Sequence, residues 1–430
     1  MVAIDNKNKY SSHGSDYDII VIGGGPAGMI AAGRAGELGA RVAILEKNDQ
    51  LGIKLLMTGK GRSNISQAEL DLQKMVAHYG KNGDWLFSPF SLFGYKETIE
   101  FFNKHGLKTK IERGQRVFPE TNNSHDVLNT LLRYLKKSSV TILYNSAVGS
   151  IKTDEKRISF VGLKNGKKLS AKYYILTTGG KSYPLTGSTG EGYEWLKNIG
   201  HQITELSPAL TPINIREDWP KKLAGLTLKN VEIQVISDEK IRYRNFGEML
   251  FSHFGITGPI VLDASKIVGE LSKKGKTEII IDLKPALSVS VLDKRIQRDF
   301  LKYHNRQFKN VLEDLLPARL ISEIIHQAKI NPEKVANLIT KEERRQIVSL
   351  LKGIRMTATG LVGYDNAIVT SGGVSLKEVD NRTMKSKKYD NLFIAGELLD
   401  LDGPTGGYNL QLCWTTGYLA GESAAKQIIK

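Results

Sequence analysis

The sequence predicts an α/β fold: one nucleotide-binding domain, interrupted by an insertion with a β-rich part and a helical part. Three observations predict it. A glycine-rich turn, GGGPAG at 23–28, stands between a short apolar run and an Ala-rich stretch. A later apolar run, YYIL at 173–176, ends in TTGG at 177–180. Glycine-rich α/β character then lapses near 200 and returns from Ala367 to the C-terminus.

The elements follow in order. Residues 1–16 read as a polar, mobile tail without the apolar core of a signal peptide. Tyr17 to Ile22 (YDIIVI) suits a buried parallel strand. Pro26 to Leu38 is apolar and Ala-rich, a helix stopped by Gly39. Arg41 to Leu45 is a second buried strand, so the start forms a right-handed βαβ unit. Residues 95–106, 125–137 and 191–200 read as helices. From about 203, LTPINI, VEIQVIS and TEIIIDL alternate or run β-branched, as strands do. Residues 291–355 read as helical and basic. The expected division is a nucleotide domain over 17–200 and 356–430, a β-rich insertion over 201–290 and a helical subdomain over 291–355.

Composition narrows the function classes. The 430 residues are 40% hydrophobic and 25% charged, which excludes a disordered or collagen-like chain. The single cysteine, Cys413, excludes a disulfide framework and multi-cysteine metal sites, and is expected to pack as a small apolar residue. No metal site is expected. The longest uncharged apolar stretch, Ile19 to Gly33, is 15 residues and glycine-rich, too short to span a membrane. A cytoplasmic protein with no membrane partner is expected. The net charge of +16 admits nucleic acid, anionic lipid or acidic substrates, or solubility alone. The segment 294–310 carries six Lys or Arg and one acid; it reads first as a solvated helix face and second as a polyanion patch.

The glycine turn carries the chemistry. Gly23 permits the tight turn, Gly25 admits a pyrophosphate, and Gly28 lets helix and strand pack closely. Pro26 and Ala27 open the helix whose N-terminus faces the phosphates. Glu46 ends the next strand 18 residues after Gly28, where a carboxylate accepts from an adenosine ribose, with Lys47 beside it. An acid there disfavours a 2′-phosphate, leaving FAD or NAD. Late in the chain, NLFIAGE at 391–397 leads a strand into Gly396 and Glu397, as flavoproteins of the two-dinucleotide-binding type do. Thr178, Gly179 and Gly180 match their middle motif, and these motifs in order point to FAD. GPTGGYNLQ then opens the final helix: Gly406 and Gly407 are expected to let its backbone approach the flavin ring, where its positive end steadies negative charge. Asn409 reads equally as an N-cap or a ligand contact. Ala147 and Val148 complete the cofactor candidates.

GKGRSN at 59–64, TGSTGEGY at 186–193, FSHFGITGP at 251–259, VTSGGVSLKEVD at 369–380 and GELLDLDGPTGGYN at 396–409 resemble the YhiN-like bacterial FAD flavoproteins. That family includes aminoacetone oxidases and 3-dehydro-bile-acid reductases. The resemblance runs from about 17 to 425. It implies an FAD domain interrupted by a β-barrel-like domain and a small helical domain, with FAD contacts from Gly59, Arg62, Ser63 and Asn64. Ser63 stands where cysteine is common in the family, which removes thiol chemistry there.

For catalysis, His253 reads first as a packed core histidine and second as an acid or base. Tyr408 reads as a substrate donor or a stacking ring. No second G-x-G-x-x-G marks a dedicated NAD(P)H domain, so NAD(P)H is expected at most as a transient reductant. The expected function is an FAD-dependent oxidoreductase moving hydride or electrons between flavin and a small organic substrate. The alternative is a flavoprotein that binds RNA or another polyanion. An active site on the exposed flavin face, roofed by the insertion, is expected.

Overall fold

The computed structural model describes residues 15–429. The expected tail lies almost wholly outside them. Its last residue, Asp16, is anchored instead: its carboxylate accepts from the Ser170 N–H at 2.8 Å. Among the described residues no helix is long and apolar enough to cross a membrane.

The chain forms two compact units, 1–207 with 369–430, and 208–368. Each has its own hydrophobic core. The expected breaks at 200 and 356 are displaced for a physical reason. Residues 203–204 still pair within the first unit, the Thr204 N–H donating to the Gly373 carbonyl at 2.8 Å. At the other end, 356 falls inside the strand Ile354–Leu361, which belongs to the inserted unit.

In the first unit five parallel strands form one sheet, in the order Leu392–Ile394, Ala171–Leu176, Tyr17–Ile22, Val42–Leu45, Thr141–Leu143. We call Tyr17–Ile22 β1, Pro26–Glu37 α1 and Val42–Leu45 β2. The central strands are apolar runs buried on both faces, as a parallel sheet requires, while the edge strand Thr141–Leu143 is partly exposed. β1 lies centrally, with Ile22 in register with both Leu45 and Leu176. The glycine turn, Glu46, Thr177–Gly180 and Gly396–Glu397 therefore all issue from the carboxyl ends of adjacent strands, where open α/β sheets bind ligands. The final helix, Tyr408–Ile429, packs along α1.

The second unit contains a closed six-stranded antiparallel barrel. Its strand Thr227–Ser237 alternates buried Val231, Ile233 and Val235 with more exposed neighbours, which is the signature read from VEIQVIS. Two helices interrupt the region read as β-rich, the short Trp219–Lys222 and the longer Pro259–Ser272. Pro259–Ser272 follows Gly258 with proline at its first position, a favourable start. The helical part comprises chiefly Val289–Lys302, Ala318–Ala328 and Lys341–Lys352. The last is capped by Thr340 and Glu343 accepting from each other's backbone N–H.

Candidate active site

Within the first unit the carboxyl ends of the sheet border a cleft open to solvent. Gly23, Gly25, Pro26, Ala27, Glu46, Lys47, Val148, Thr178, Gly179, Gly396 and Glu397 line it, as the sequence reading grouped them. Gly23 takes φ +103°, a left-handed turn. A Cβ at Gly28 would lie 1.9 Å from the Gly23 carbonyl oxygen, so only glycine lets α1 pack under the turn. A Cβ at Gly25 would meet nothing within 4 Å, because that position faces open space. The N-terminus of α1, with Gly25 as its cap residue, therefore presents a bare backbone suited to phosphate.

Glu46 is 8% exposed, and its carboxylate is oriented by two backbone donors: Gly24 N–H to Oε2 and Asn48 N–H to Oε1, both 2.9 Å. Glu397 is held on both oxygens, by the Thr370 N–H at 2.8 Å and by Lys54 Nζ at 2.9 Å. Lys47 donates to Glu191 Oε2 at 2.7 Å and Thr189 Oγ1 at 2.9 Å, while Lys164 reaches Glu191 Oε1 at 2.8 Å. Burial raises the Glu191 carboxyl, but the Lys164 and Lys47 ammonium groups outweigh it and hold the pKa at about 2.

The remaining candidates are placed differently. Arg62 does not face the cleft. Its guanidinium binds Glu112 and Asn122 and lies 4.0 Å from the Phe118 ring centre. Ser63 is fully buried with φ +56°, next to Asn64. A Cβ at Gly407 would meet Ser66 O at 2.4 Å and Asn64 Oδ1 at 2.9 Å. The GKGRSN loop, with Gly59 at φ +58°, thus packs on the loop of Gly406 and Gly407. Asn409 is not the N-cap. It lies inside the helix, its amide bonding both backbone groups of Gly403. Tyr408 is 6% exposed, packed on the His78 ring at 4.6 Å, and lies outside the cleft lining. Gly180 sits behind Glu397 and Thr370, and the Ala147 carbonyl accepts from Lys164 N–H. His253 belongs to the second unit, at an exposed turn after the strand Lys240–Ser252, so the packed-core expectation is corrected.

Several cleft residues escaped the sequence reading. Lys54, Ser188, Glu191 and Cys413 line it. Ser188 and Glu191 lie in TGSTGEGY, which was a visible signal; Lys54 had none. Cys413 packs against Gly396, and burial pushes its thiol up to about 12.

The polar groups fit a large polar cofactor. Among the described residues seven buried side-chain polar atoms lack a partner, and four of them are Ser63 Oγ, Asn64 Oδ1, Thr178 Oγ1 and Ser188 Oγ. Each such atom costs about 1–3 kcal/mol unless something pairs with it. Thr178 and Ser188 line the cleft itself.

The HI0933-like protein Rossmann domain family matches residues 17–423. The chain belongs to this family. Its members are FAD-dependent oxidoreductases, which the glycine cradle and the unpaired cleft groups fit. The chain is 31% identical over 410 residues to a 3-dehydro-bile acid delta(4,6)-reductase of Clostridium scindens, covering 95% of this chain and 98% of that protein. It is 27% identical over 404 residues to a ribosomal RNA dihydrouridine synthase of Escherichia coli, covering 94% and 96%. Among solved structures it resembles a 3-ketosteroid-delta4-(5alpha)-dehydrogenase of Rhodococcus jostii, with a TM-score of 0.54 and 16% identity over 98% of this chain and 99% of that one. That likeness concerns the fold.

Proposed function

We propose that this protein is a reductase of a carbon–carbon double bond conjugated to a carbonyl, and that its substrate is a uracil base in RNA. The observation that carries the reading is a reaction type shared by two relatives covered almost end to end. A 3-oxo steroid with 4,6 unsaturation and a uracil ring both hold C=C conjugated to C=O. Both accept a hydride at the β-carbon and a proton at the α-carbon, two electrons and two protons in all. Bound FAD, once reduced, supplies the hydride equivalent. A reduced nicotinamide is the proposed source of those electrons.

The chain's own groups provide position and charge. Glu46 is oriented to accept from ribose hydroxyls, and α1 offers its N-terminus to the pyrophosphate. Thr178 and Ser188 offer unpaired hydroxyls. The net charge of +16 favours a polyanionic substrate. A second reading, a steroid-like enone, is favoured by the 31% identity to the bile-acid reductase.

The test is incubation of holoprotein and NAD(P)H with unmodified ribosomal RNA, and in parallel with a 3-oxo-4,6-diene steroid. Nucleoside mass spectrometry reads dihydrouridine. Dihydrouridine in the RNA supports the first reading, and steroid reduction alone moves the assignment to the second. Reduction of neither overturns both.

A further inference from the structure

We propose that the exposed face of the basic helix Val289–Lys302, with the turn after it, is a docking surface for an RNA backbone. The inference rests on the RNA reading above and adds where the strand is held.

Lys294, Arg298 and Lys302 stand four residues apart, and all are exposed. Four residues advance a helix by about 6 Å and turn it by about 40°, so the three charges form an inclined row on one face. Arg306 is exposed in the following turn. The opposite face is pinned, with Leu292, Ile296 and Phe300 buried in the unit's core. The row therefore cannot rotate inward.

Like charges at this spacing repel, and acids on the same helix could have relieved them. They are directed elsewhere. Asp293 accepts from Arg344 Nε at 2.8 Å and from Gln297 at 2.7 Å. Asp299 accepts from Arg295 at 2.8 Å. Asp314, beyond this helix, takes the Tyr303 hydroxyl at 2.8 Å, and it and Asp299 act on Lys302 only at longer range, without an ion-pair contact. Among the described residues neither Lys294 nor Arg298 has an acidic partner. Arg345, on the neighbouring helix Lys341–Lys352, is exposed as well.

An aromatic ring closes the row. Lys302 Nζ lies 4.5 Å, and Arg306 Cζ 4.6 Å, from the centre of the Tyr303 ring. Cations in a line beside a half-buried aromatic ring suit a phosphate backbone bearing bases better than a compact metabolite. Leu301 is also exposed, at 75%, so a lipid surface is the competing occupant that the test must separate.

The experiment uses full-length holoprotein and two triple variants. One carries Lys294→Gln, Arg298→Gln and Lys302→Gln; the other carries Glu at the same positions. FAD content and thermal unfolding report that each is folded. Filter binding of an unmodified ribosomal RNA transcript is measured across a salt series. The expected result is at least tenfold weaker binding by the Gln variant, weaker again by the Glu variant. The log–log salt slope should flatten by about two, for three lost phosphate contacts. Dihydrouridine formation at saturating RNA should persist. Variants that bind with the parent affinity and slope, while the parent makes dihydrouridine, overturn this surface and leave the reading beneath it standing. A parent that neither binds RNA nor makes dihydrouridine overturns that reading. Loss of binding to phosphatidylserine vesicles in the variants, with RNA binding intact, overturns the RNA assignment of the face.

Discussion

Glu46 Oε2 accepts the Gly24 N–H at 2.9 Å, tying the end of β2 to the glycine turn after β1. The carboxylate that the sequence assigns to a ribose is thus already aimed, because two backbone donors fix its rotamer before any ligand arrives. Replacing Glu46 by Ala should weaken FAD retention by about 1–3 kcal/mol, the scale of a charge-assisted hydrogen bond. The measurement is the FAD dissociation constant from fluorescence titration of deflavinated protein. Unchanged affinity would remove Glu46 from the site.

Thr178 gives a prediction with opposite signs in two states. Its hydroxyl is buried and unpaired. Thr178→Val should stabilise the FAD-free protein by about 1 kcal/mol by removing an unsatisfied group. The same change should weaken FAD binding if the cofactor supplies the missing partner. Thermal unfolding with and without FAD reads both. A variant destabilised without FAD, or one with full affinity, contradicts the assignment.

The Lys47–Glu191–Lys164 cluster should respond to acid. The Glu191 pKa is depressed from the ordinary 4.5 to about 2, so its stabilising contribution is complete above 4.5 and is lost as pH falls toward 2. The difference in unfolding temperature between wild type and Glu191→Gln should therefore be constant near neutrality and shrink across that window. A difference that grows with acid would show that Glu191 is not held by the two lysines.

Cys413 should be inert. With its thiol pushed up to about 12, the thiolate is on the order of one part in ten thousand at pH 8. Cys413 is half-buried in the cleft wall, so folded protein should label with iodoacetamide far more slowly at that pH than denatured protein does. Rapid labelling of the folded chain would contradict this environment.

Much of the fold was legible because its signals are local. GGGPAG between an apolar strand and an Ala-rich helix needs that turn, and VEIQVIS alternates as a barrel strand must. The helix Pro259–Ser272 was missed although Gly258, Pro259 and Gly275 bracket it, because its β-branched Ile260, Val261, Ile267 and Val268 read as strand residues. The site was half legible. Residues that follow strand ends were found, since the strands themselves place them. Lys54 and Glu397 are 343 positions apart, and nothing in either neighbourhood announces their contact. Arg62 was read toward the cofactor, but its neighbours Glu112 and Asn122 are brought to it by strand pairing that no short motif encodes.

The most direct measurement of the central claim is an anaerobic single turnover. Holoprotein is reduced chemically, freed of reductant, and mixed with unmodified ribosomal RNA while flavin absorbance is followed. The oxidised flavin spectrum should return at a rate set by RNA concentration, with one dihydrouridine formed per flavin. Flavin that stays reduced with RNA and with a conjugated enone, yet reoxidises on admitting oxygen, would contradict it.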